Sequence, residues 1–182
     1  MPRPPVTPPP FPPPQSRGLS LLLASAGIAA GVLGWHAIAG QIPPDPAWSS
    51  MATRLGTTAL ALLPSAAVLW LMILAQMAAR MVSGRIDPTD GRETLFLLTN
   101  QRAIANTVEQ SVCFIPALLA LAAGVTGTVM PQVIALAVIF AAARLVFWLG
   151  YLARPVLRAP GMAATFVTVT ATLAAAIWAW LT

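Results

Sequence analysis

Three polar side chains, Arg102, Asn106 and Glu109, lie in a segment that is otherwise apolar enough to cross a membrane. Their spacing of four and then three residues places them on one face of a helix. A guanidinium and a carboxylate at membrane depth cost several kcal/mol unless they are paired or hydrated. Such groups usually face the interior of a bundle or a water-filled cavity. The sequence therefore predicts a polar site on this face.

A second polar set follows, made of Arg144, Tyr151, Arg154 and Arg158. Arg144 and Tyr151 are seven residues apart, so they also share a helical face. Guanidinium groups bind carboxylates through paired hydrogen bonds, and a cation beside a thiol favours the thiolate. These residues fit a small ligand that carries carboxylates. An alternative from spacing alone is that Glu109 and Arg144 form only an ion pair that holds two helices together.

The composition indicates a polytopic membrane protein. Of the 182 residues, 58% are hydrophobic and 8% are charged, whereas a soluble domain has about 25% charged residues. The net charge of +5 is spread over loops beside apolar segments, so it does not predict nucleic-acid binding. The single Cys113 excludes an intrachain disulfide. His36 is the only histidine and has no partner at ligand spacing, so we predict no metal site.

Five apolar segments are each near the ~20 residues that a membrane helix needs, and we predict an all-α membrane bundle. The predicted spans are residues 18–39, 55–80, 98–123, 130–152 and 161–181. In this division, residues 1–17 form a proline-rich disordered tail, 18–39 an additional N-terminal span, and 55–182 a four-helix membrane domain.

Two details of the predicted spans concern packing. Gly27, Gly31 and Gly34 in the first span predict close contact with another helix. Gln76 in the second span either faces a cleft or makes a hydrogen bond within the bundle, and the sequence does not decide between these.

The arginines orient the predicted bundle. With five spans, seven arginines lie on the side of the N-terminus and only Arg54 lies on the other. The seven are Arg3, Arg17, Arg80, Arg85, Arg92, Arg154 and Arg158. The positive-inside rule then places the N-terminus in the cytoplasm and the C-terminus outside. Arg102 and Arg144 lie in the cytoplasmic halves of their spans, so both polar sets converge on one face of the membrane.

Two strings resemble a known family. Arg102-Ala-x-x-Asn106-x-x-Glu109 resembles the second-helix motif of the MAPEG family, the membrane-associated proteins of eicosanoid and glutathione metabolism. A later string is similar to that family's third helix and following turn, with the same residue types as its cysteinyl-leukotriene synthase. It contains Arg144, Gly150, Tyr151, Arg154, Arg158 and the Ala159-Pro160 pair. The resemblance covers about residues 58–182, with Gln110 and Phe147 where that synthase has tyrosines.

The resemblance implies a homotrimer of four-helix units that binds glutathione as co-substrate between subunits, near the cytoplasmic face. It implies glutathione contacts at Arg102, Asn106, Glu109 and Tyr151, and activation of the thiol by Arg158. From the residue types we add Arg144 and Arg154 to the residues that we expect to bind glutathione. We add Tyr151 to Arg158 as a residue that we expect to take part in catalysis.

We therefore expect a membrane-bound glutathione transferase or peroxidase that acts on hydrophobic electrophiles. The alternative is a non-catalytic lipid-binding or scaffold protein of the same family. The use of arginine and alanine is typical of a GC-rich bacterial genome, so we expect the protein in a bacterial inner membrane.

Overall fold

The computed structural model describes residues 15–85, 87 and 93–182. The predicted tail before residue 15, Arg3 and Arg92 lie outside the described residues. The described chain forms six α-helices, which are α1 (Gln15–Ala39), α2 (Met51–Ala61), α3 (Leu63–Ser83), α4 (Leu95–Gly124), α5 (Met130–Ala153) and α6 (Ala159–Leu181). Single 3₁₀ turns lie at Pro46–Ser49, Gly127–Val129 and Pro155–Arg158.

The helices make five spans that are long and apolar enough to cross a membrane, because α2 and α3 follow one another as a single span of 33 residues. This confirms the predicted all-α membrane bundle. The second span starts at Met51, four residues before its predicted start. The side chain of Ser50 accepts a hydrogen bond from Thr53 N–H and caps this helix. The break between α2 and α3 falls at Leu62, because Pro64 has no N–H to continue the helical pattern.

The centre of the bundle lies between α4, α5 and α6. Phe114 of α4 and Phe140 of α5 are fully buried and stack with ring centroids 4.1 Å apart. Leu118 and Val133 are also fully buried and belong to the same core. These contacts fix α4 and α5 side by side and antiparallel, so the start of α4 and the end of α5 meet at the same face of the bundle.

Helix α1 lies outside this core, against α5 and α6. A side chain at Gly27 would put its Cβ 2.2 Å from the carbonyl oxygen of Pro160, so only glycine allows this approach. At Gly31 the corresponding distance to Ala164 Cβ is 3.4 Å, and at Gly34 it is 3.0 Å to Ile139. The prediction of close helix packing at these three glycines is confirmed.

Arg54 ties two spans together at one end of the bundle. Near the start of α2, the guanidinium of Arg54 donates to the carbonyl oxygens of Ala122 and Ala123, at the end of α4. It also donates to the carbonyls of Trp48 and Ser49. The last carbonyls of a helix have no partner within it. Arg54 supplies hydrogen-bond donors to two of these carbonyls in α4 and also holds the loop before α2.

Candidate polar site at the α4–α5 face

Arg144 is the centre of the site. Its side chain on α5 is only 1% exposed. Its Nε donates to Thr165 Oγ1 on α6 at 3.0 Å, and its Nη1 donates to Asn106 Oδ1 on α4 at 3.0 Å. Its Nη2 is buried and has no hydrogen-bond partner within the part of the chain that the structure describes. A buried guanidinium nitrogen with an unused N–H can still donate a hydrogen bond to a ligand.

The alternative of an ion pair between Glu109 and Arg144 is not what the fold provides. Arg144 bonds to a neutral amide and a hydroxyl, and Glu109 remains exposed on α4. Arg80 and Glu93, in contrast, do form an ion pair. Arg102 does not neutralise Glu109 within the chain either, since neither side chain makes a hydrogen bond or ion pair with any described residue.

From Arg144 two aromatic rings lead to a second cation, Arg158, in the turn before α6. The Arg144 guanidinium carbon lies 4.4 Å from the ring centroid of Phe147. The Phe147 and Tyr151 rings are 5.8 Å apart, and the Arg158 guanidinium carbon lies 4.8 Å from the Tyr151 ring. A cation over an aromatic face is attracted by the ring quadrupole. The structure thus joins Asn106, Arg144, Tyr151 and Arg158 in one continuous group.

Two glycines make this arrangement possible. At Gly150, a Cβ would lie 2.2 Å from the carbonyl oxygen of Leu157, so glycine lets the Pro155–Arg158 turn fold back onto α5. That folding brings Arg158 over Tyr151, seven residues earlier in the chain. At Gly161, a Cβ would lie 2.3 Å from the backbone nitrogen of Phe147. This close crossing of α5 and α6 brings Thr165 within reach of Arg144.

The predicted face of α4 is only partly joined to this group. Asn106 is half-buried and contacts Arg144, whereas Arg102 and Glu109 are exposed. Glu109 is the fifteenth of the 30 residues of α4, so it lies at mid-span. Arg154 is also exposed, at the turn after α5, and makes no side-chain hydrogen bond or ion pair with the described residues. The carboxylate and these two cations therefore remain available to groups outside the single chain.

A second polar cluster lies beside the site, and of its members only Gln76 was singled out from the sequence. Asn100 Nδ2 donates to Gln76 Oε1 and to the carbonyl of Met72, and Trp148 Nε1 donates to Asn100 Oδ1 at 2.6 Å. Gln76 in turn donates to the carbonyl of Leu97. Gln76 therefore makes a bundle hydrogen bond. The position of Asn100 two residues before Arg102 was the available signal, because an amide inside an apolar span needs a partner.

The donor set suits an anionic organic ligand better than a metal. Among the described residues, no three His, Cys, Asp or Glu side chains lie close enough together to hold a metal ion. Guanidinium groups instead supply paired donors for carboxylates, and Glu109 can accept from an ammonium group. A ligand that carries carboxylates and an amino group matches these groups.

The comparisons with known proteins bear on this site directly. The sequence model of the MAPEG family matches residues 55–178, a stretch that runs from within α2 to near the end of α6 and contains every residue of the site. No curated protein and no solved structure gave a significant match. The family match covers well over half of the 182 residues. The chain therefore belongs to the MAPEG family of membrane proteins.

Proposed function

We propose that the protein is a membrane-bound, glutathione-dependent transferase or peroxidase that acts on hydrophobic electrophiles. The observation that carries this proposal is the continuous group of Asn106, Arg144, Tyr151 and Arg158. It lies at the end of the bundle where α4 also presents the unpaired Arg102. Membership of the MAPEG family supports the same class of activity.

In this proposal the residues of α4 bind and orient the peptide. Arg102 would hold a carboxylate and Glu109 the amino group, while Asn106 and the unused Nη2 of Arg144 bind peptide oxygens. Arg102 and Glu109 are seven residues apart, which corresponds to about 10 Å along a helix. That separation suits a ligand with charged groups at its two ends. Arg154 is a further candidate for a carboxylate contact.

Bound glutathione would supply the thiol as nucleophile. Arg158 would favour the thiolate, because a nearby cation lowers the pKa of a thiol. Tyr151 holds the guanidinium through its ring and can donate its hydroxyl to the sulfur. In conjugation the sulfur forms a bond to the electrophilic carbon, and the thiol proton balances the leaving group or the opened ring. In peroxide reduction two thiols are oxidised to a disulfide while the hydroperoxide becomes an alcohol and water.

The same proposal includes a homotrimer. Glu109 is exposed at the middle of α4 in the single chain, and a lipid-exposed charge at that depth costs several kcal/mol. A contact between subunits would cover this face and place the unpaired Arg102 and Glu109 in a cleft. We expect about three protomers by mass measurement in mild detergent. A monodisperse monomer that still binds glutathione would contradict the trimer but not the binding site.

The proposed location is a bacterial inner membrane with a cytoplasmic N-terminus. The arginine asymmetry supports this orientation, and it places the Arg158 turn at the cytoplasmic face, where the thiol is available. A reporter fused after Thr182 should be active outside the cytoplasm. Activity of that fusion in the cytoplasm would mean that the C-terminus is cytoplasmic and that the proposed orientation is wrong.

A thermal-shift titration in mild detergent tests the binding step. Glutathione at 100 times its dissociation constant should stabilise the protein by about 2.7 kcal/mol. Replacing Arg102 with Gln should reduce the shift, whereas Arg17→Gln, an exposed change on α1, should leave it unchanged. If millimolar glutathione produces no shift while the trimer is intact, the non-catalytic lipid-binding or scaffold function becomes the better proposal.

A further inference from the structure

The backbone on both sides of Arg158 is in close contact with a glycine of a neighbouring helix. The carbonyl oxygen of Leu157 lies 2.2 Å from where a Cβ at Gly150 of α5 would be. The carbonyl oxygen of Pro160 lies 2.2 Å from where a Cβ at Gly27 of α1 would be, and the Pro160 Cα lies 2.5 Å from it. Real Cβ atoms essentially never come closer than 3.0 Å to another heavy atom. The segment that carries Arg158 is therefore held by α5 through Gly150 and by α1 through Gly27.

The side chain of Arg158 depends on this backbone for its position. It is exposed and makes no hydrogen bond or ion pair with the described residues. Its guanidinium carbon lies 4.8 Å from the ring centroid of Tyr151. A cation–π contact at an exposed site contributes only about 0.5–1 kcal/mol. A shift of the backbone around Arg158 would therefore move the guanidinium away from the ring.

Among the three glycines of α1 that pack against the bundle, Gly27 makes the closest approach. A Cβ at Gly31 would meet the Cβ of Ala164 at 3.4 Å, which is ordinary contact, and one at Gly34 would meet the terminal carbon of Ile139 at 3.0 Å. Only at Gly27 is the nearest atom part of the backbone. The family match begins at residue 55, whereas α1 ends at Ala39. Helix α1 therefore adds a contact next to Arg158 that residues 55–178 do not supply.

We propose that α1 is a positioning element for the reaction, in which the contact of Gly27 with Pro160 holds the Arg158 guanidinium over the Tyr151 ring. The consequence for catalysis rests on the proposed function, in which Arg158 favours the thiolate. Gly27 itself touches no reacting atom, so it acts only through Arg158. A misplacement of about 1 Å can cost up to about a hundredfold in rate. Helix α1 then sets the rate of the chemical step, whereas glutathione affinity depends on Arg102.

Fluorine NMR can test this placement without any substrate. Tyr151 is the only tyrosine of the chain, so replacement of tyrosine by meta-fluorotyrosine gives the full-length protein a single fluorine signal beside Arg158. The Arg158→Gln variant supplies the signal of a ring without its cation. We expect Gly27→Ala to move the native signal at least half of the way to that reference. Helix α1 lies outside the core of α4, α5 and α6, so this variant should fold, and thermal melting in mild detergent checks that it does.

Two glycines of the same helix supply matched controls. Gly18→Ala adds a methyl group where no atom lies within 4 Å, and Gly31→Ala adds one at an ordinary contact distance, one turn beyond Gly27. Both variants should keep the native fluorine signal and the native rate. Saturation kinetics give a second readout. Gly27→Ala should lower kcat for conjugation about tenfold and leave KM for glutathione within about twofold of the native value, because the binding groups of α4 are not displaced.

Several outcomes would overturn the proposal. A native fluorine signal in folded Gly27→Ala, or an equal shift in Gly31→Ala, would show that Gly27 does not hold Arg158. A raised KM with an unchanged kcat would place its effect on binding. If Gly27→Ala fails to fold while Gly31→Ala folds, the contact serves the fold alone. If the fluorine signals are as expected but the native protein is inactive, the placement of Arg158 by α1 stands and only the proposed function is refuted.

Discussion

Arg54 and Arg144 are both buried in the bundle, but they use their donors differently. Arg54 is 9% exposed, and all three guanidinium nitrogens donate to backbone carbonyls at the end of α4 and in the preceding loop. Arg144 is 1% exposed and donates to Asn106 and Thr165, with Nη2 left without a partner. Hydrogen bonds from all three nitrogens to the backbone are what we expect of a residue that stabilises the fold. An unused buried donor is what we expect of a residue that binds a ligand.

The largest effect should come from removing Arg54. We expect Arg54→Met to lower the free energy of unfolding by about 3 kcal/mol, because it leaves several carbonyls without their charged donor. Unfolding by dodecyl sulfate in mixed micelles measures this change. The affinity of the folded variant for glutathione should be that of the native protein. A loss below about 1 kcal/mol would mean that water replaces the guanidinium, and the contrast between the two arginines would weaken.

Arg158→Ala should lower the rate of catalysis and leave stability unchanged, which is the opposite of what we expect for Arg54→Met. We expect a loss of roughly a hundredfold in the rate of conjugation to a model aryl halide, as removal of one preorganised charge-stabilising group often causes. Stability and glutathione binding should be retained, because Arg102 still holds a carboxylate.

The conservative variant Arg158→Lys separates the role of the positive charge from that of the guanidinium shape. Arg158→Lys keeps the cation near the Tyr151 ring and should recover part of the rate. If Arg158→Ala keeps full activity, the role of stabilising the thiolate belongs to Arg144 or Arg154. If the native protein neither conjugates nor reduces any of several electrophiles, the enzymatic proposal is refuted.

A smaller effect is expected at Arg102. Replacing it with Gln should raise the dissociation constant of glutathione about tenfold, which corresponds to about 1.4 kcal/mol for one charge-assisted contact. The rate at saturating glutathione should change little, since the proposed role of Arg102 is to hold a carboxylate and not the thiol. Isothermal titration and saturation kinetics separate these two quantities. An unchanged dissociation constant would remove Arg102 from the binding set.

The smallest effect should come from the cluster of Gln76, Asn100 and Trp148, whose side chains bond to one another and to the backbone. Trp148→Phe removes the donor to Asn100 Oδ1 and should lower the free energy of unfolding by about 1 kcal/mol. Glutathione affinity should not change, because every group in that cluster is already paired within the chain. A change in affinity larger than the change in stability would show that the cluster positions the ligand.

Much of this architecture is determined by sequence alone. Hydropathy and length are local properties, so five spans could be predicted with boundaries close to those of the helices. Spacing also placed Arg102, Asn106 and Glu109 on one face of α4. The small residues of the first span predicted its close contact with another helix, which α6 and α5 provide.

Only the tertiary structure decided which side chains meet. Thr165 can reach Arg144 because α5 crosses α6 closely, and Gly161 sets that distance. Asn106 rather than Glu109 contacts Arg144 because of the way α4 packs against α5. The position of Arg158 over Tyr151 depends on a turn that folds back against Gly150. Spacing along one helix determines the faces of that helix, but contacts between helices depend on the packing of all of them. For this reason the sequence could supply the residues of the site but not their pairing.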